Sequence, residues 1–325
     1  MPEHTLSKYV VIAGHGRSGT NLVLDLFDFH RNTFCRNEPN EVLGSAFTGL
    51  GDGMFTHNTP DDFDDQWRRA VTATKRSSGA RDRFRIQKDY FRSAVYARFG
   101  QALMSRQKIR GLLLPRIDGH VTQEWPCPKF YFNALAKEQA LPVLKILLCP
   151  AWVTQAHDSN RAQLVVHVQR RPQSFVQSWW TRYVIENSSG PEHVFTDNQP
   201  SLAHILEHFD RTAEMPTEYS LSNLVVSELW RWRYMNEMLI QQLSDSPRYK
   251  WIGYETLMTD KINATRAIFD FAGLELTQDC RQSIETMQNT LFKARKSNRI
   301  DPELVNDAVN LVLEGSAHRD QLLNG

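Results

Sequence analysis

A run of small and hydroxyl-bearing residues lies near the start of the sequence, Ala13-Gly-His-Gly-Arg-Ser-Gly-Thr-Asn21. It follows a short apolar stretch and precedes a helical pattern of apolar residues. Glycines let the backbone wrap closely around an anion, and the amide groups at the start of a helix then point toward it. The run is therefore predicted to be a phosphate-binding loop.

The loop differs from the Walker A motif of nucleoside-triphosphate-binding proteins. Gly14 and Gly19 have the Walker spacing, but Thr20 stands where that motif has lysine. The cation is Arg17, inside the loop, and no apolar run ends in an obvious Walker B aspartate. These differences favour a nucleotide phosphate that binds without an ordinary Mg²⁺-bound triphosphate, and no metal site is predicted.

A second anion-binding pattern lies in Val165-Val-His-Val-Gln-Arg-Arg-Pro-Gln-Ser-Phe-Val-Gln-Ser178. Its apolar start predicts a buried strand, and Pro172 suits the first turn of a helix. Arg170, at the strand end, can offer two parallel N–H groups to a phosphate. Ser178 follows eight residues later, about two helical turns along. We interpret Arg170 and Ser178 as a second phosphate site. The alternative is that Arg170 and Arg171 are a solvated arginine pair at a strand end.

Together, the two patterns resemble the sulfotransferases that use 3′-phosphoadenosine 5′-phosphosulfate (PAPS). Residues 16–22, Gly-Arg-Ser-Gly-Thr-Asn-Leu, are similar to the 5′-phosphosulfate loop of tyrosylprotein, Golgi and many bacterial enzymes. Arg170 and Ser178 are similar to the family's 3′-phosphate motif, although Arg171 replaces its usual acidic neighbour. The resemblance implies that Arg170 and Ser178 hold the 3′-phosphate. It also implies that the 5′-phosphosulfate is held by Gly16, Arg17, Ser18, Gly19, Thr20 and Asn21.

Three later segments are also similar to this family. Tyr249–Leu257 resembles its late strand followed by Tyr-Glu-x-Leu, and Ile268–Leu274 resembles its Phe-x-Gly-Leu helix ending. Lys293–Arg299 falls where such enzymes have a basic loop over the 3′-phosphate. The resemblance implies 3′-phosphate contacts from Ser297 and Arg299, and a solvated basic loop is the alternative.

Sulfonyl transfer needs a base that takes the proton of the acceptor group. Cytosolic sulfotransferases have the histidine of a Lys-Thr-His motif for this role, but the matching position here is Leu147. Tyrosylprotein and related sulfotransferases instead have a glutamate about 21 residues after the loop arginine. The residue at that distance from Arg17 is Glu38, which the resemblance implies to be the base, with Glu41 as the rival.

Lys145 lies within an apolar, strand-like stretch. An unpaired ammonium group is costly in a buried strand, so this lysine is expected to meet an anion. It matches a lysine that other glutamate-type members place beside the leaving group, and a lysine that reaches solvent is the alternative. Glu38, Arg17 and Lys145 are thus the predicted catalytic residues. His120 and His157 are alternative bases.

Short apolar runs alternate with helical patterns, which predicts βαβ units and a parallel sheet covered on both faces. We expect an α/β, three-layer P-loop-like fold, formed by a single domain over residues 1–325. The strand-poor stretch 42–140 is predicted to be a helical insertion that shapes the acceptor site. The predicted strands are Tyr9–Ala13, Pro142–Leu148, Leu164–Val168 and Tyr249–Gly253. The predicted helices are Thr20–Phe29, Pro172–Tyr183, Ser201–Phe209, Leu221–Leu243, Asn263–Ala272 and Asp301–Leu323.

The overall charge of the 325 residues is balanced, with 38 Lys and Arg against 37 Asp and Glu. This balance excludes a globally basic protein that wraps nucleic acid. The four cysteines show no Cys-x-x-Cys spacing, which fits a reducing compartment. No apolar run is long enough to cross a membrane, and the start lacks a signal-peptide pattern, so a cytoplasmic protein is expected.

Positive charge is concentrated between Trp67 and Asp118, a segment with 14 Lys and Arg and three acidic residues. It fits either a solvated helical face or an electropositive wall beside an anionic ligand. As such a wall it would hold an anionic acceptor or add to PAPS binding, and the acceptor is expected to be a small molecule, a glycan or a lipid-linked group. The candidate acceptor-side residues are Lys88, Arg92, Arg110, Arg116, Trp179, Trp180 and Tyr183. The two tryptophans fit core packing or packing on the adenine side of the donor better than a platform for a sugar.

The sequence thus predicts an enzyme that moves the sulfonyl group of PAPS to a hydroxyl or amine by in-line displacement. The product of the donor is 3′-phosphoadenosine 5′-phosphate (PAP), and no metal is required. A small-molecule kinase or NTPase with a degenerate loop is one alternative, disfavoured by the missing Walker lysine and aspartate. A non-catalytic nucleotide-binding module on the same fold is another, and the set of Glu38, Arg17 and Lys145 argues against it.

Overall fold

The computed structural model describes residues 9–30, 32–43, 55, 60–72, 141–185, 190–291 and 300–324. Within that part of the chain, five parallel strands form a central sheet with the spatial order β2-β3-β1-β4-β5. The strands are β1 (Tyr9–Gly14), β2 (Thr33–Asn37), β3 (Leu141–Leu147), β4 (Ala162–Gln169) and β5 (Tyr249–Gly253).

Helices connect and follow these strands. The described helices before β4 are α1 (Thr20–Phe29), α2 (Pro60–Thr72) and α3 (Pro150–Asp158). Those between β4 and β5 are α4 (Pro172–Trp179), a π-helical turn (Trp180–Ile185), α5 (Pro191–His208) and α6 (Leu221–Leu243). Those after β5 are α7 (Tyr254–Thr259), α8 (Lys261–Phe271), α9 (Gln278–Leu291), α10 (Pro302–Val312) and α11 (Arg319–Asn324). The described 3₁₀ turns are Pro39–Leu43 and Thr212–Glu214.

Side chains on both faces of β1 are buried. Val10 and Ile12 pack in one cluster with α1, α8 and α9, whereas Val11 and Ala13 pack in another with α2, α3 and α6. A strand that is covered on both faces needs apolar residues at consecutive positions, which explains the unbroken apolar run of β1. The three layers are helix, sheet and helix, and the α/β prediction with a central parallel sheet is confirmed.

A second core lies around α6. Trp230 and Trp232 of α6 are fully buried there, together with apolar side chains of α4, α5, α10 and α11. The same helix sends Met235 and Leu239 into the cluster beneath the sheet. α6 therefore joins the core of the sheet to the core of the later helices.

The order of the strands in the sheet reverses between β1 and β4. β2 and β3 lie on one side of β1, and β4 and β5 lie on the other. In open parallel sheets, ligands bind outside the carboxyl ends of the strands at such a switch point. The segments that leave β1 and β4 here are the glycine-rich loop and the segment that starts at Arg170. Both predicted phosphate sites therefore lie at the switch point.

Among the described strands and α-helices, the sequence prediction missed β2, α3, α7 and α9. β2 contains Thr33, Arg36 and Asn37, which interrupt the apolar pattern by which strands are recognised. α3 has only nine residues, and its apolar run resembles a continuation of the strand before it. Parallel strands need a crossover connection, and α3 supplies the one between β3 and β4.

Several predicted helix limits also change. The helix predicted for Pro172–Tyr183 is α-helical only to Trp179 and continues as the π-helical turn. α5 begins ten residues before its predicted start. The single helix predicted for Asp301–Leu323 is wrong, because α10 and α11 are separated by a turn in which Gly315 has a φ of +69°.

The predicted insertion 42–140 is described only in part. α2 belongs to it and packs Phe63 and Trp67 against Trp152 of α3. The rest of the insertion lies outside the described residues, so its helical character and its role at the acceptor site stay predictions. Across the described ranges, no helix combines the length and the apolar character needed to cross a membrane.

Candidate functional site at the carboxyl edge of the sheet

The glycine-rich loop between β1 and α1 is closely packed by its neighbours. A Cβ atom on Gly14 would lie 2.5 Å from the carbonyl oxygen of Val168 in β4. A Cβ atom on Gly19, whose φ is +96°, would overlap the ring of Tyr254 in α7. Both positions therefore require glycine, and the course of the loop is fixed by β4 and by the start of α7.

The loop offers polar groups suited to an anion. The hydroxyl of Ser18 is fully buried, and it has no hydrogen-bond partner among the described residues. The first turn of α1 contains no acidic side chain, and its N-cap residue, Gly19, supplies no side-chain cap. N–H groups and the positive end of the dipole at such a helix start attract negative charge. These residues fit a phosphate or sulfate group.

The two predicted phosphate sites meet through Arg17. Its Nε donates to Oγ of Ser178 in α4 at 3.2 Å. Its backbone carbonyl accepts from Nη1 of Arg170 at 3.3 Å. The loop, the end of β4 and α4 therefore come together at one point, although 153 residues separate Arg17 from Arg170 in the sequence.

Arg170 is oriented by its surroundings. Its guanidinium carbon lies 4.3 Å from the ring centroid of Tyr254, and its Nε donates to Ser174, which in turn donates to Glu255. Burial lowers the pKa of Arg170 from its ordinary value, and Arg17 adds to the lowering, whereas Tyr254 and Glu255 oppose it. A guanidinium that has lost hydration in this way gains more from binding an anion than a solvated one.

Glu38, Lys145 and Asn21 form a charged cluster beside the loop. Nζ of Lys145 lies 2.5 Å from Oε1 of Glu38 and 2.5 Å from Oδ1 of Asn21. Lys145 is fully buried, whereas the Glu38 side chain is 17% exposed. An ammonium group and a carboxylate are thus in direct contact beside the loop. The expectation that Lys145 meets an anion is thus met by a carboxylate of the chain itself.

Arg17 and Glu38 both have left-handed backbone conformations, with φ of +72° and +49°. Residues other than glycine rarely adopt such angles, at a cost of roughly 1–2 kcal/mol each. Strain of this kind persists where surrounding contacts impose it, and it clusters at functional sites. Here it falls on two of the three residues predicted to be catalytic.

His15 belongs to a buried polar network beneath the loop. Its Nε2 lies 3.5 Å from Glu228, which also accepts from Arg231 and from Asn198. Burial lowers the pKa of His15; Arg231 lowers it further, whereas Glu228 and the Gly16 carbonyl oppose this. His15 thus lies between the carbonyl of Gly16 in the loop and the buried carboxylate of Glu228.

The predicted aromatic residues differ in their surroundings. Trp179 and Trp180 are buried in the second core, so they do not line an open pocket. Tyr183, in the π-helical turn, is 42% exposed. Its hydroxyl lies 4.0 Å from the position that a Cβ atom on Gly16 would take. Tyr183 therefore lies beside the loop, whereas the two tryptophans belong to the second core.

Other predicted residues are not brought to this site. His157, at the far end of α3, contacts Ser246 at 2.8 Å and Asp158 at 3.0 Å, at the opposite edge of the sheet. The side chain of Glu41 is not described. The predicted residues outside the described ranges are Lys88, Arg92, Arg110, Arg116, His120, Ser297 and Arg299.

The sequence patterns did not single out two residues that shape the site, Tyr254 and Glu228. Tyr254 immediately follows β5, in the segment similar to Tyr-Glu-x-Leu, so its place after a strand at the switch-point edge was an available signal. Glu228 lies in the buried part of α6, three residues before Arg231, and a buried carboxylate needs a partner. Neither signal identifies the loop residue that is contacted, which is Gly19 for Tyr254 and His15 for Glu228.

The arrangement combines an anion-binding loop, the cations Arg17, Arg170 and Lys145, and one partly exposed carboxylate. Among the residues that the structure describes, no three His, Cys, Asp or Glu side chains are grouped to hold a metal ion. Cations beside an anion site stabilise charge that develops during group transfer, and a nearby carboxylate can remove a proton. The site is therefore equipped to move an anionic group onto a nucleophile.

Comparisons with known proteins give weak similarities. No family model matches the chain, and no curated protein matches its sequence. The similar solved structures include a sulfotransferase of Alicyclobacillus acidocaldarius, with 13% identity, a TM-score of 0.44 and coverage of 98% of this chain and 96% of that one. Sulfotransferase STF9 of Mycobacterium avium has 12% identity, a TM-score of 0.43 and coverage of 96% and 77%. The sulfotransferase domain of the Synechococcus PCC 7002 olefin synthase has 16% identity, a TM-score of 0.41 and coverage of 99% and 96%.

The Tyr254 ring makes a substitution at Gly19 especially costly. Gly19→Ala is expected to lower the free energy of unfolding by roughly 3 kcal/mol, since it combines backbone strain with overpacking. Gly273→Ala is the matched control: its φ is +68°, but a Cβ atom there would meet nothing within 4 Å. The control should lose only about 1 kcal/mol. Urea unfolding measures both, and equal losses would contradict the close packing of Tyr254 on the loop.

The ion pair of Lys145 with Glu38 predicts a measurable coupling. Lys145→Met is expected to lower the free energy of unfolding by about 2 kcal/mol, because Glu38 and Asn21 lose a charged partner. Adding Glu38→Gln should recover part of that loss, since a neutral amide needs no cation. A double-mutant cycle in urea isolates the pair. A coupling energy near zero would show that the ammonium and the carboxylate do not interact.

Proposed function

We propose that the chain is a PAPS-dependent sulfotransferase that transfers the sulfonyl group to a hydroxyl or amine and releases PAP. The observation that carries the proposal is the meeting of Arg17, Arg170 and Ser178 at the switch point of the sheet. It joins two anion-binding segments in one site. Glu38 and Lys145, beside the same loop, supply the groups that the transfer reaction requires.

Two separate anion-binding segments suit the donor better than a nucleoside triphosphate. PAPS carries an anionic group at the 3′ position and another at the 5′ position, whereas a triphosphate carries one chain of phosphates. The loop has Thr20 in place of the Walker lysine, so the usual clamp on β- and γ-phosphates is missing. Arg170 and Ser178 provide the second anion site that the 3′-phosphate needs.

The proposed reaction is an in-line displacement at sulfur. The acceptor oxygen or nitrogen forms the new bond to sulfur, while the bond from sulfur to the 5′-phosphate oxygen breaks and its electron pair stays on that oxygen. Glu38 takes the proton that the acceptor loses. Arg17 and the loop amides stabilise the sulfonyl and leaving oxygens as their charge changes.

Lys145 is proposed to have two effects. Its ammonium group joins the base to the loop, since it binds both Glu38 and Asn21. It also adds positive charge on the side of the loop where the leaving oxygen gains negative charge. The distance between base and donor is thereby set by one buried side chain.

The acceptor is proposed to be a small molecule, a glycan or a lipid-linked group, with no nucleic acid involved. It would approach the partly exposed Glu38 beside Tyr183. We propose that residues 42–140 shape this approach within a single domain. A cytoplasmic location is part of the proposal, and the lack of Cys-x-x-Cys spacing among the four cysteines fits it.

Calorimetric titration with PAP, ADP and ATP, with and without Mg²⁺, tests the donor assignment. PAP should bind tightly and independently of Mg²⁺, whereas ADP should bind weakly because it lacks a 3′-phosphate. Arg170→Ala should weaken PAP binding by roughly 10- to 100-fold, the value of a charge-assisted contact, and adenosine 5′-phosphosulfate binding far less. Preference of the unmodified protein for ATP with Mg²⁺ would indicate a kinase-like enzyme instead. Equal losses for both nucleotides would contradict the 3′-phosphate role of Arg170.

Glu38→Gln tests the base. The substitution keeps the shape of the side chain, so PAP affinity should change less than about two-fold, while turnover should fall by roughly 10²- to 10⁴-fold. The readout is PAP release once an acceptor is found among sulfatable small molecules. Glu41→Gln is the comparison variant and should keep most activity. Full activity of Glu38→Gln, with loss in Glu41→Gln, would make Glu41 the base.

A further inference from the structure

The two residues that flank Arg170 are both bound to α11. Nε2 of Gln169 donates to the carbonyl oxygen of Leu322 at 2.8 Å and to the preceding carbonyl at 3.3 Å. Nε of Arg171 donates to the carbonyl oxygen of Asn324 at 3.2 Å. The side chains on both sides of Arg170 thus form hydrogen bonds with the same short helix.

Gln169 is a rigid link in this arrangement. It is fully buried, and its Oε1 accepts from the indole N–H of Trp251 in β5 at 3.0 Å. A buried amide is costly to leave without hydrogen bonds, so both ends of this side chain hold their partners. Leu322, fully buried in the second core, fixes α11 in turn. Gln169 therefore connects β4, β5 and α11 at the switch-point edge.

The contacts of Arg171 account for its departure from the family pattern. Its guanidinium binds a carbonyl of the last turn of α11, where the negative end of the helix dipole favours a cation. Its backbone N–H donates to Glu255 at 3.3 Å. Glu255 also accepts from Ser174, which binds Arg170. Arg171 is thus part of the frame around Arg170.

We propose that α11 is a positioning element for Arg170. By holding Gln169 and Arg171, it sets the direction in which the Arg170 guanidinium meets the 3′-phosphate. Both flanking side chains act through Arg170, so they are positioning residues for donor recognition. The inference rests on the proposed function, since the 3′-phosphate is that of PAPS.

Variants of both links test the inference. Arg171→Met removes one charge and the side-chain hydrogen bond from residue 171 to α11. Gln169→Met removes the hydrogen bonds from residue 169 to α11 without changing the charge. Arg319→Met is the matched control, because it removes a charge from α11 itself, where Arg319 binds only the exposed Asn310 side chain among the contacts described. The measured quantity is the ratio of the dissociation constants of adenosine 5′-phosphate and PAP, which reports recognition of the 3′-phosphate alone.

The ratio is expected to fall about five-fold in Gln169→Met and in Arg171→Met, the equivalent of about one hydrogen bond, and to stay unchanged in Arg319→Met. A fall in Arg171→Met alone would reveal a direct effect of charge and would overturn the inference. An unchanged ratio in both variants would overturn it too. If Gln169→Met does not fold, Leu322→Ala replaces it, since it loosens α11 without changing charge, and the same fall is expected.

The unmodified protein separates this inference from the proposed function. If it binds PAP no better than adenosine 5′-phosphate, the proposed function fails, and the inference fails with it. If it prefers PAP while both variants keep that preference and lose only thermal stability, α11 supports the fold alone. In that case the positioning role fails and the donor assignment stands.

Discussion

A buried ammonium group at the carboxyl edge of the sheet determines how the candidate site is held together. Lys145 can be buried because Glu38 and Asn21 each bind it at 2.5 Å. Glu38 reaches it because β2 pairs in parallel with β3, and Asn21 reaches it because α1 begins where the glycine-rich loop ends. One positive charge thus fixes the loop and the candidate base relative to each other.

The loop also links this cluster to the second predicted phosphate site. The side chain of Arg17 reaches Ser178, while its backbone carbonyl accepts from Arg170. Tyr254 packs against both Gly19 and Arg170, so a single ring contacts both predicted phosphate sites. The two predicted sites are therefore in direct contact, in addition to the pairing of β1 with β4 in the sheet.

The sequence was informative where an element is apolar and buried on both faces, as in β1 and β4. The spacing of glycine and arginine also marked the two segments that meet at the switch point. It was uninformative for β2, because Arg36 is buried by tertiary contacts that no local pattern reveals. It indicated that Lys145 needs an anion, but the partner lies 107 residues away. The Tyr254 contact with Gly19 likewise depends on how α7 packs, which no local pattern reveals. The break between α10 and α11 lies at a turn within a sequence whose apolar pattern is otherwise helical.

Under the proposed function, the left-handed conformations of Arg17 and Glu38 place stability and activity in opposition. Asparagine or glycine adopts such angles more readily, so either residue would relax the backbone at these two positions. A search for heat-resistant variants that scores folding alone would favour those replacements and would discard the guanidinium and the carboxylate. Thermostabilisation of this chain must therefore be sought in its helices and cores, with these two positions held constant.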